Sequence, residues 1–297
     1  MNNYHVSVLL KESIDYLSIT PGKSYIDATL GGGGHTEAIL ERGGRVLGID
    51  VDQDALDYIK EEVKSQKLKI KNKENLVVAK GNFRNIDELA RANGFEKVAG
   101  VLFDLGVSSH QFDTQERGFS FLHNAELDMR MDTELGVTAK DLLRVLPKQE
   151  LAQLFFTYGE ERFGNRIAEA IVERRESKSI DTTGELAQVI ERSVPRTGDK
   201  IHPATRVFQA LRIAVNDELG VIEEALPKAL DLLEAKGRIA VISFHSLEDR
   251  IIKHTFQQWT ENGLGTIITK KPIIPSEEEI LKNSRSRSSK LRVFEKN

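Results

Sequence analysis

Short apolar runs alternate with amphipathic helical patterns along the first hundred residues. The runs at 25–28, 45–50, 76–79 and 98–104 predict four strands. Helical spacing of apolar residues predicts helices at 8–17, before the first run, and at 37–42, 52–63 and 85–92, between the runs. Strands that alternate with helices in this way are typical of a parallel sheet with helices on both faces. The sequence therefore predicts an α/β fold.

This alternation stops after Asp104. The next convincing strand, 238–243, follows more than 130 positions later, whereas a crossover needs a few dozen residues. The excess of about 100 residues predicts an inserted domain, since loops that long are rare within a compact domain. We predict a discontinuous α/β domain, residues 1–109 and 214–297, interrupted by an all-helical domain at 110–213.

The predicted insert opens with an irregular segment, His110 to Gly136, which we expect to be an ordered, functional loop. The segments that follow have helical patterns, and after residue 243 the chain continues with one helix and two short strands at 266–269 and 290–294. These two strands could form an antiparallel hairpin at the edge of the sheet. The helical patterns lie at 138–146, 149–157, 160–177, 182–193, 203–216 and 218–234.

Composition narrows the class of protein. The 297 residues are 39% hydrophobic and 30% charged, which is typical of a globular protein, and the net charge of -4 offers no global attraction for nucleic acid. The absence of cysteine excludes disulfides, Cys-ligated zinc, iron–sulfur clusters and a cysteine nucleophile. The seven histidines show no metal-binding spacing. Residues 1–5 do not resemble a secretory signal and no apolar run approaches the ~20 residues of a membrane span, so we expect a cytoplasmic protein.

Four consecutive glycines, 31–34, join the first predicted strand to the next helix. Glycines allow a tight turn and a close approach of a ligand to the backbone, and a helix N-terminus favours an anion. A phosphate-binding P-loop would need Lys followed by Ser or Thr, which His35-Thr36 does not provide. Thr36 also replaces the third glycine of a dinucleotide fingerprint. The loop alone favours an S-adenosylmethionine-binding methyltransferase over a dehydrogenase only modestly.

Side chains at the ends of the other strands could complete a nucleoside site. Asp50 closes the second strand, where an acid can accept hydrogen bonds from a ribose, although a solvated strand-end acid is the alternative. Phe83 follows the third strand and could stack on adenine or belong to the core. Asp104 ends the fourth strand and could hold the ligand or accept a proton, and Gln111 on the same loop could reach the nucleoside.

Other polar clusters permit two interpretations each. His245 with Glu248 and Asp249 could form an acid–base cluster, but a solvated helix start is the simpler reading. The basic segment 282–292 could contact phosphates or serve as a solubilising tail. Scattered positive charge in the predicted insert could contact RNA; it comes from Arg162, Arg166, Arg174, Arg175, Arg192, Arg196, Lys200 and Arg206.

Several long strings occur together in one order, and they resemble the bacterial RsmH family, also called MraW, of small-subunit ribosomal RNA cytosine-N4 methyltransferases. The resemblance runs almost end to end. The strings are Gly32-Gly33-Gly34-His35, Asp104-Leu105-Gly106-Val107-Ser108-Ser109, Glu116-Arg117-Gly118-Phe119-Ser120-Phe121, Leu127-Asp128-Met129-Arg130-Met131-Asp132, Thr157-Tyr158-Gly159-Glu160-Glu161-Arg162-Phe163, His202-Pro203-Ala204-Thr205-Arg206 and Ser243-Phe244-His245-Ser246-Leu247-Glu248-Asp249-Arg250.

The resemblance implies a Rossmann-like methyltransferase domain with a helical insert for substrate recognition. It implies methyl transfer from S-adenosylmethionine to N4 of one cytidine in the decoding region of 16S ribosomal RNA, with free RNA or the assembled small subunit as partner. Phe119 and Phe121 are candidates for stacking on the base, and Asp104 for a catalytic role. The cofactor positions implied are Gly33, Gly34, His35, Asp50, Phe83, Asp104 and Gln111.

The rival readings from other classes are an NAD-dependent dehydrogenase, a non-catalytic RNA-binding or assembly factor, and an enzyme of the same fold acting on DNA or protein. His110 stands where a proline is common in the family, which leaves every implied role in place. The sequence does not determine the oligomeric state, and a homodimer stays open.

Overall fold

The computed structural model describes residues 7–65, 73–195 and 202–297. Clustering of contacts divides the chain into two compact units. We call residues 1–108 with 219–297 the sheet unit, and residues 109–218 the helical unit. The first unit is discontinuous in sequence and the second is continuous. The predicted division at residues 109/110 and 213/214 into independently folding domains stays a prediction.

The sheet unit is built on one seven-stranded sheet in the order β3-β2-β1-β4-β5-β7-β6. Strands β1 to β5 are parallel to their neighbours, and β7 is antiparallel to both β5 and β6. The strands are β1 (Ser24–Asp27), β2 (Arg45–Asp50), β3 (Leu76–Lys80), β4 (Val98–Asp104), β5 (Leu233–Ser243), β6 (Gly265–Ile267) and β7 (Lys290–Lys296).

The helices of the sheet unit precede β1 or lie in the connections between the strands. Asp52 caps α3 by accepting a hydrogen bond from the backbone N–H of Asp54, as its position before the apolar pattern predicts. The helices are α1 (Leu10–Leu17), α2 (Gly34–Glu41), α3 (Gln53–Lys64), α4 (Ile86–Ala92), α11 (Glu218–Leu232), α12 (Ser246–Glu261) and α13 (Glu277–Lys282), with α11 starting one residue before the boundary between the units.

Both faces of the central strands are buried, which explains their continuous apolar sequences. Ile26 of β1 packs in a core on one face, while its neighbour Tyr25 packs in a core on the other face. The same alternation places Phe103 of β4 in the first core and Leu102 in the second. Fully burying one such side chain stabilises the fold by about 1.5–3 kcal/mol, so the central strands anchor the sheet.

The strand order places a switch point between β1 and β4. From β1 the chain proceeds outward to β2 and β3, then returns to the other side of β1 with β4. In open α/β sheets, ligands bind outside the carboxyl ends of the strands at such a point. Asp27, Asp50 and Asp104 are the last residues of β1, β2 and β4, respectively. The fold thus gathers these acids at the edge where a ligand is expected.

The helical unit contains α5 (Ser109–Asp113), α6 (Ala139–Val145), α7 (Lys148–Gly159), α8 (Gly164–Ser177), α9 (Thr183–Ser193) and α10 (Ala204–Asn216). Thr138 and Asp141 form a capping box at the start of α6. Thr182 caps α9 by accepting from the N–H of Glu185.

The predicted irregular segment is shorter than expected, because α5 and a 3₁₀ turn (Gln115–Arg117) occupy its first part. The rest is held by hydrogen bonds. Arg117 donates to the carbonyls of Arg130 and Met131, and Asn216 donates to the carbonyl of Met129. The loop is therefore an ordered part of the helical unit, and a functional role for it stays a prediction.

Several predicted element boundaries differ from those of the structure, and two of the differences have a clear cause. The predicted helix 160–177 starts at Gly164, because Glu160 adopts φ 50° and closes α7 in the left-handed conformation. The predicted helix 218–234 ends at Leu232, since Leu233 pairs with Val98 and begins β5. Tertiary pairing overrides the helical pattern there. The edge pairing of β6 with β7 confirms the predicted antiparallel hairpin.

Some predictions fall outside the described residues. They concern the N-terminal residues 1–5, most of the connection 64–74, and Arg196 and Lys200 of the insert. Across the described ranges, no helix combines the length and the apolar character that crossing a membrane requires.

Candidate cofactor site

The glycine loop joins β1 to α2 with two residues in the left-handed region. Gly31 has φ 47° and Gly33 has φ 78°, a conformation that costs other L-residues about 1–2 kcal/mol. A Cβ at Gly33 would lie 2.5 Å from Cδ1 of the buried Ile59, and one at Gly34 would collide with the Oγ of Ser7. Position 33 therefore requires glycine for two reasons: the left-handed backbone conformation and the lack of space for a Cβ.

Asp50 holds the loop from the end of β2. Its Oδ2 accepts a hydrogen bond from the N–H of Gly31 at 2.8 Å, and its Oδ1 accepts from the N–H of Asp52 at 2.9 Å. Burial raises the pKa of Asp50 to about 6, although these backbone hydrogen bonds favour the carboxylate. A carboxylate oxygen has two lone pairs, so Asp50 can bind the loop and still accept from a ribose hydroxyl. Its ribose role stays a prediction.

Asp27 is more completely enclosed than Asp50, with a relative exposure of 1%. Its Oδ2 accepts from the hydroxyl of Thr36 at 2.7 Å and its Oδ1 from the N–H of Thr29 at 3.3 Å. Burial raises the pKa of Asp27 to about 7; the two hydrogen bonds oppose this rise, whereas the nearby carboxylates of Asp104 and Asp50 add to it. Asp27 thus connects both ends of the loop.

Asp104 reaches the same edge from β4. Its backbone N–H donates to the Oγ1 of Thr29 at 2.7 Å, and its Oδ2 lies 3.7 Å from Nδ1 of His35, the second residue of α2. Both side chains are largely buried, at 9% and 5% exposure. Asp27, Thr29 and Asp104 therefore form one connected arrangement around the loop. The sequence had marked Thr36 only as a departure from a glycine pattern, so the hydrogen-bonding roles of Thr29 and Thr36 were missed.

Phe83 begins a 3₁₀ turn (Phe83–Asn85) directly after β3 and is half-buried. Its ring packs edge-on against Phe103, with centroids 5.5 Å apart. Both readings from the sequence are therefore compatible with its position, since one part of the ring contacts the core and another part stays exposed. The neighbouring Gly81 N–H donates to the carbonyl of Asp50, which links this turn to the end of β2.

The predicted site residues fall into both units. Gln111 lies in α5 of the helical unit, where it is 6% exposed. The other six predicted cofactor residues lie in the sheet unit: Gly33, Gly34, His35, Asp50, Phe83 and Asp104. Phe119, predicted to stack on a base, is also only 6% exposed and belongs to the core of the helical unit. A stacking role for Phe119 stays a prediction. Phe121 is less buried, and it stacks on His202 with centroids 4.6 Å apart.

The prediction of a solvated helix start at His245 is also wrong. His245 and Glu248 form a capping box at the start of α12, and Glu248 has a relative exposure of only 1%. The adjacent Asp249 accepts from Arg292 at 2.6 Å and from Lys290 at 3.1 Å, both in β7. The end of the basic segment is therefore part of the sheet and not a solubilising tail, because strand pairing buries it.

Several arginines of the helical unit are used internally. Arg175 donates to the carbonyls of Leu143 and Leu146 at the end of α6. Arg162, Arg166 and Arg192 are exposed. The positive charge available to a partner is therefore smaller than the sequence suggested.

The chemistry of the edge fits a cationic cofactor better than a dinucleotide. Three carboxyl groups, those of Asp27, Asp50 and Asp104, lie near one another, and each of the first two has a raised pKa. A further positive charge would relieve their mutual repulsion, whereas a pyrophosphate would add to it. S-adenosylmethionine carries a sulfonium cation, and the restricted glycine loop provides the close backbone approach such a ligand needs. The residues present therefore fit this cofactor.

The fold and the site define a Rossmann-like protein that binds a cofactor containing a nucleoside. The defining features are the strand order, the glycine loop and the acids at the strand ends. Within that class the sequence can be placed more narrowly. Residues 2–297 match the MraW methylase family, so the chain belongs to this family. Membership confirms the predicted family, the methyltransferase class and S-adenosylmethionine as cofactor. An NAD-dependent dehydrogenase is thereby excluded.

The chain also shows distant similarity to solved structures. An rRNA methylase from Streptococcus thermophilus matches with 14% identity, covering 98% of both chains, with a TM-score of 0.47. A candidate rRNA methylase from Clostridium thermocellum matches with 15% identity, 98% and 99% coverage and a TM-score of 0.44. A candidate methyltransferase from Streptococcus mutans in complex with SAH matches with 14% identity, the same coverage and the same TM-score. Sequence identities and TM-scores this low do not identify a family, so the assignment of the chain rests on the family match over residues 2–297.

Proposed function

We propose that this methyltransferase transfers a methyl group from S-adenosylmethionine to N4 of one cytidine in the decoding region of 16S ribosomal RNA. The observation that carries the proposal is the family match over residues 2–297, in a chain whose acids Asp27, Asp50 and Asp104 end adjacent strands beside a glycine loop. The rRNA methylase described for Streptococcus thermophilus accords with an RNA substrate.

The site residues would position the reactants rather than activate the donor. S-adenosylmethionine supplies an already activated methyl group on its sulfonium. The cytosine amine is a weak nucleophile because its lone pair is delocalised into the ring. Catalysis can therefore rest on holding the amine nitrogen in line with the methyl–sulfur bond, at about 3–3.5 Å. Gly33, Gly34 and His35 would hold the cofactor, Asp50 its ribose and Phe83 its adenine.

Asp104 is the candidate catalytic residue. Its carboxyl is fixed by the backbone bond to Thr29 and by the neighbouring His35, at the end of β4. In this position it would accept a hydrogen bond from one N4–H, which concentrates electron density on nitrogen, and it would take the proton late. General acid–base groups of this kind contribute about 10²–10⁴-fold to a rate.

The helical unit would bind RNA around the target nucleotide. A base must leave its stack to reach an enclosed site, which favours a single-stranded or irregular stretch of RNA. Gln111 would contribute to the nucleoside site, and exposed arginines such as Arg162 and Arg192 would contact phosphates. Such contacts predict an affinity that falls steeply with salt. A homodimer stays a prediction that measurement of the molecular mass in solution would decide.

Mass spectrometry of small-subunit RNA tests the function directly. Cells that lack the gene should lose one N4-methylcytidine, and the purified protein should restore it on RNA or small subunits from those cells, with the methyl label coming from S-adenosylmethionine. An unchanged set of cytidine modifications would rule the assignment out. Loss of a modification on another base, on DNA or on protein would retain the methyltransferase class and refute the substrate.

Asp104→Asn tests the catalytic residue. We expect a loss of roughly 10²–10⁴-fold in the methylation rate, with cofactor affinity measured separately by calorimetry. Asp57→Asn is the matched control, because Asp57 is an exposed acid of the same unit that pairs with Lys60. An Asp104→Asn variant with the full rate and unchanged cofactor affinity would exclude both roles for this residue.

A further inference from the structure

Asp27 is an acid that the proposed reaction does not use. It is the last residue of β1, and its carboxyl is 1% exposed. Thr36 and Thr29 hold it from the two ends of the glycine loop, at 2.7 and 3.3 Å. The carboxyl is thus fixed beneath the segment expected to carry the cofactor, in surroundings that exclude water. Any charge placed on this loop acts on Asp27 with little screening.

The charged groups that face Asp27 come from three elements. Asp27 pairs in register with Gly48 on β2 and with Leu102 on β4. Asp50 and Asp104 each lie two residues beyond these partners, so their Cα atoms are ~8 Å from that of Asp27 by standard sheet spacings. On α2, Thr36 contacts Asp27 directly, and His35 lies 3.7 Å from Asp104.

No lysine or arginine among the described residues pairs with Asp27, whose hydrogen-bond donors are the hydroxyl of Thr36 and the N–H of Thr29. Enclosure and two neighbouring acids raise the pKa of Asp27 to about 7. Near neutrality the group is therefore divided between its two protonation states. A single nearby charge is enough to shift the balance, since an opposite charge within a few ångströms lowers the pKa of a carboxyl by about 1–3.

The methyl donor and its product differ by one charge. S-adenosylmethionine has a sulfonium sulfur, and loss of the methyl group leaves the neutral thioether of S-adenosylhomocysteine. The two ligands share the same adenosine, amino group and carboxylate. A protein group that responds to the sulfur charge will therefore distinguish them. The sulfonium also lowers the pKa of the donor's own amino group, an effect that does not depend on Asp27.

We propose that Asp27 is the residue that discriminates the cationic methyl donor from the neutral product, by being ionised when S-adenosylmethionine is bound and protonated when S-adenosylhomocysteine is bound. The inference rests on the proposed use of the loop as the cofactor site. An ionised Asp27 attracts the sulfonium, so donor binding expels a proton. Once the methyl group has gone, Asp27 recovers its proton and the attraction ends, which favours release of the product.

This discrimination has a measurable signature. The ratio of the two affinities should increasingly favour the donor as pH rises through neutrality, because ionised Asp27 is present before the donor arrives. Between about pH 6 and about pH 8 we expect the ratio to rise about tenfold, equivalent to ~1.4 kcal/mol. Asp50, whose pKa is raised to about 6, also titrates near this window, so a variant of Asp27 is needed to assign the effect.

Isothermal titration calorimetry of the full-length protein measures both quantities. Each ligand is titrated at several pH values in two buffers of different ionisation enthalpy, which gives the affinity and the number of protons released. We expect S-adenosylmethionine to release a fraction of a proton near neutrality that S-adenosylhomocysteine does not release. This comparison uses the unmodified protein, so it does not depend on the folding of any variant.

The Asp27→Asn variant then assigns the effect. Asparagine imitates the protonated acid in shape: its oxygen can accept from the N–H of Thr29 and its Nδ2 can donate to the hydroxyl oxygen of Thr36, so the loop should keep its geometry. In this variant the pH dependence of the affinity ratio and the difference in proton release should both fall to what the ligands' own amino groups contribute. The control Asp57→Asn, which changes an exposed acid of α3, should behave as the unmodified protein does.

Each outcome separates the hypotheses. Equal proton release for both ligands in the unmodified protein would overturn the inference while leaving the cofactor assignment intact. A difference that is undiminished in Asp27→Asn would refute the role of Asp27. If neither ligand bound, the proposed cofactor site itself would fail.

Discussion

Replacing Gly33 by alanine tests the argument that the loop is restricted to glycine by both backbone conformation and packing. Gly33 has φ 78°, and a Cβ there would lie 2.5 Å from the Cδ1 of Ile59. Real Cβ atoms do not approach other atoms so closely, so Ile59 would have to move. Ile59 is fully buried beside Leu30 and Leu56, which leaves it little room.

Two costs therefore add at this position. The left-handed backbone costs an alanine about 1–2 kcal/mol relative to glycine. Overpacking of a well-filled core costs typically ~1–3 kcal/mol more. We expect Gly33→Ala to lower the free energy of unfolding by roughly 2–5 kcal/mol. It should also weaken S-adenosylmethionine binding, since any shift of Ile59 or of the loop moves the backbone that faces the cofactor.

Two further variants separate the costs. Gly22 has φ 81° and open space around a Cβ, so Gly22→Ala carries the backbone cost alone. Ile59→Val removes the colliding Cδ1, so Gly33→Ala should cost ~1 kcal/mol less in that background than in the unmodified protein. Urea unfolding followed by circular dichroism gives the free energies, and calorimetry gives cofactor affinity. A Gly33→Ala variant as stable as Gly22→Ala, with no coupling to residue 59, would refute the packing argument.

Two predictions concern the dependence of stability on pH. Hydrogen bonds from Arg292 and Lys290 lower the pKa of Asp249 even though burial of the carboxyl opposes them. Its stabilising contribution is present above the unfolded pKa of about 4 and is lost as pH falls through the folded value. Asp249→Ala should cost ~2 kcal/mol at pH 7 and much less in acid, by urea unfolding at both values. The contribution of Asp27 to the free energy of unfolding has the opposite sign, because the pKa of Asp27 in the folded protein, about 7, lies above the unfolded value. This destabilising contribution grows as pH rises from about 4 to about 7. Relative to the unmodified protein, Asp27→Asn should therefore gain roughly 2–4 kcal/mol in free energy of unfolding across that window. A difference in free energy of unfolding that stays constant with pH would contradict the raised pKa of Asp27.

The sequence predicted the strands of the sheet well, because their apolar runs are bounded by glycines and by strand-end acids. Strand β2, predicted at 45–50, is Arg45–Asp50 in the structure, and β4 likewise keeps its predicted bounds of 98–104. Both strands are buried on two faces, and a continuous apolar run between polar ends has few other interpretations. Local information determines such elements.

Boundaries set by distant partners could not be predicted in the same way. Leu233 and Glu234 continue the helical pattern of α11, yet they belong to β5 because Leu233 pairs with Val98 of β4. Similarly, the polar residues at the start of α12 gave no indication that the side chain of Glu248 is buried. For Leu233 the deciding partner lies more than 100 positions away, and a single sequence does not name it.

The candidate site was predicted in part. Asp50 and Asp104 were recognised from their places after apolar strands, and the structure gathers both at the carboxyl edge. The bonds from Thr29 and Thr36 were not foreseen, because a threonine within a glycine-rich loop looks like a missing glycine. The raised pKa of Asp27 was equally hidden, since it depends on burial and on acids from two other strands.

The split construction of the sheet unit has a consequence for how the chain folds. Strands β4 and β5 are neighbours, but the whole helical unit, Ser109–Glu218, lies between them in sequence. Their pairing closes a very long loop, and contacts of such sequence separation slow folding. Because the helical unit is continuous, it can fold first and shorten the effective length of this loop, whose entropic cost grows with length. We therefore expect two folding phases, with the helices of residues 109–218 gaining protection from hydrogen exchange before the pairing of β4 with β5.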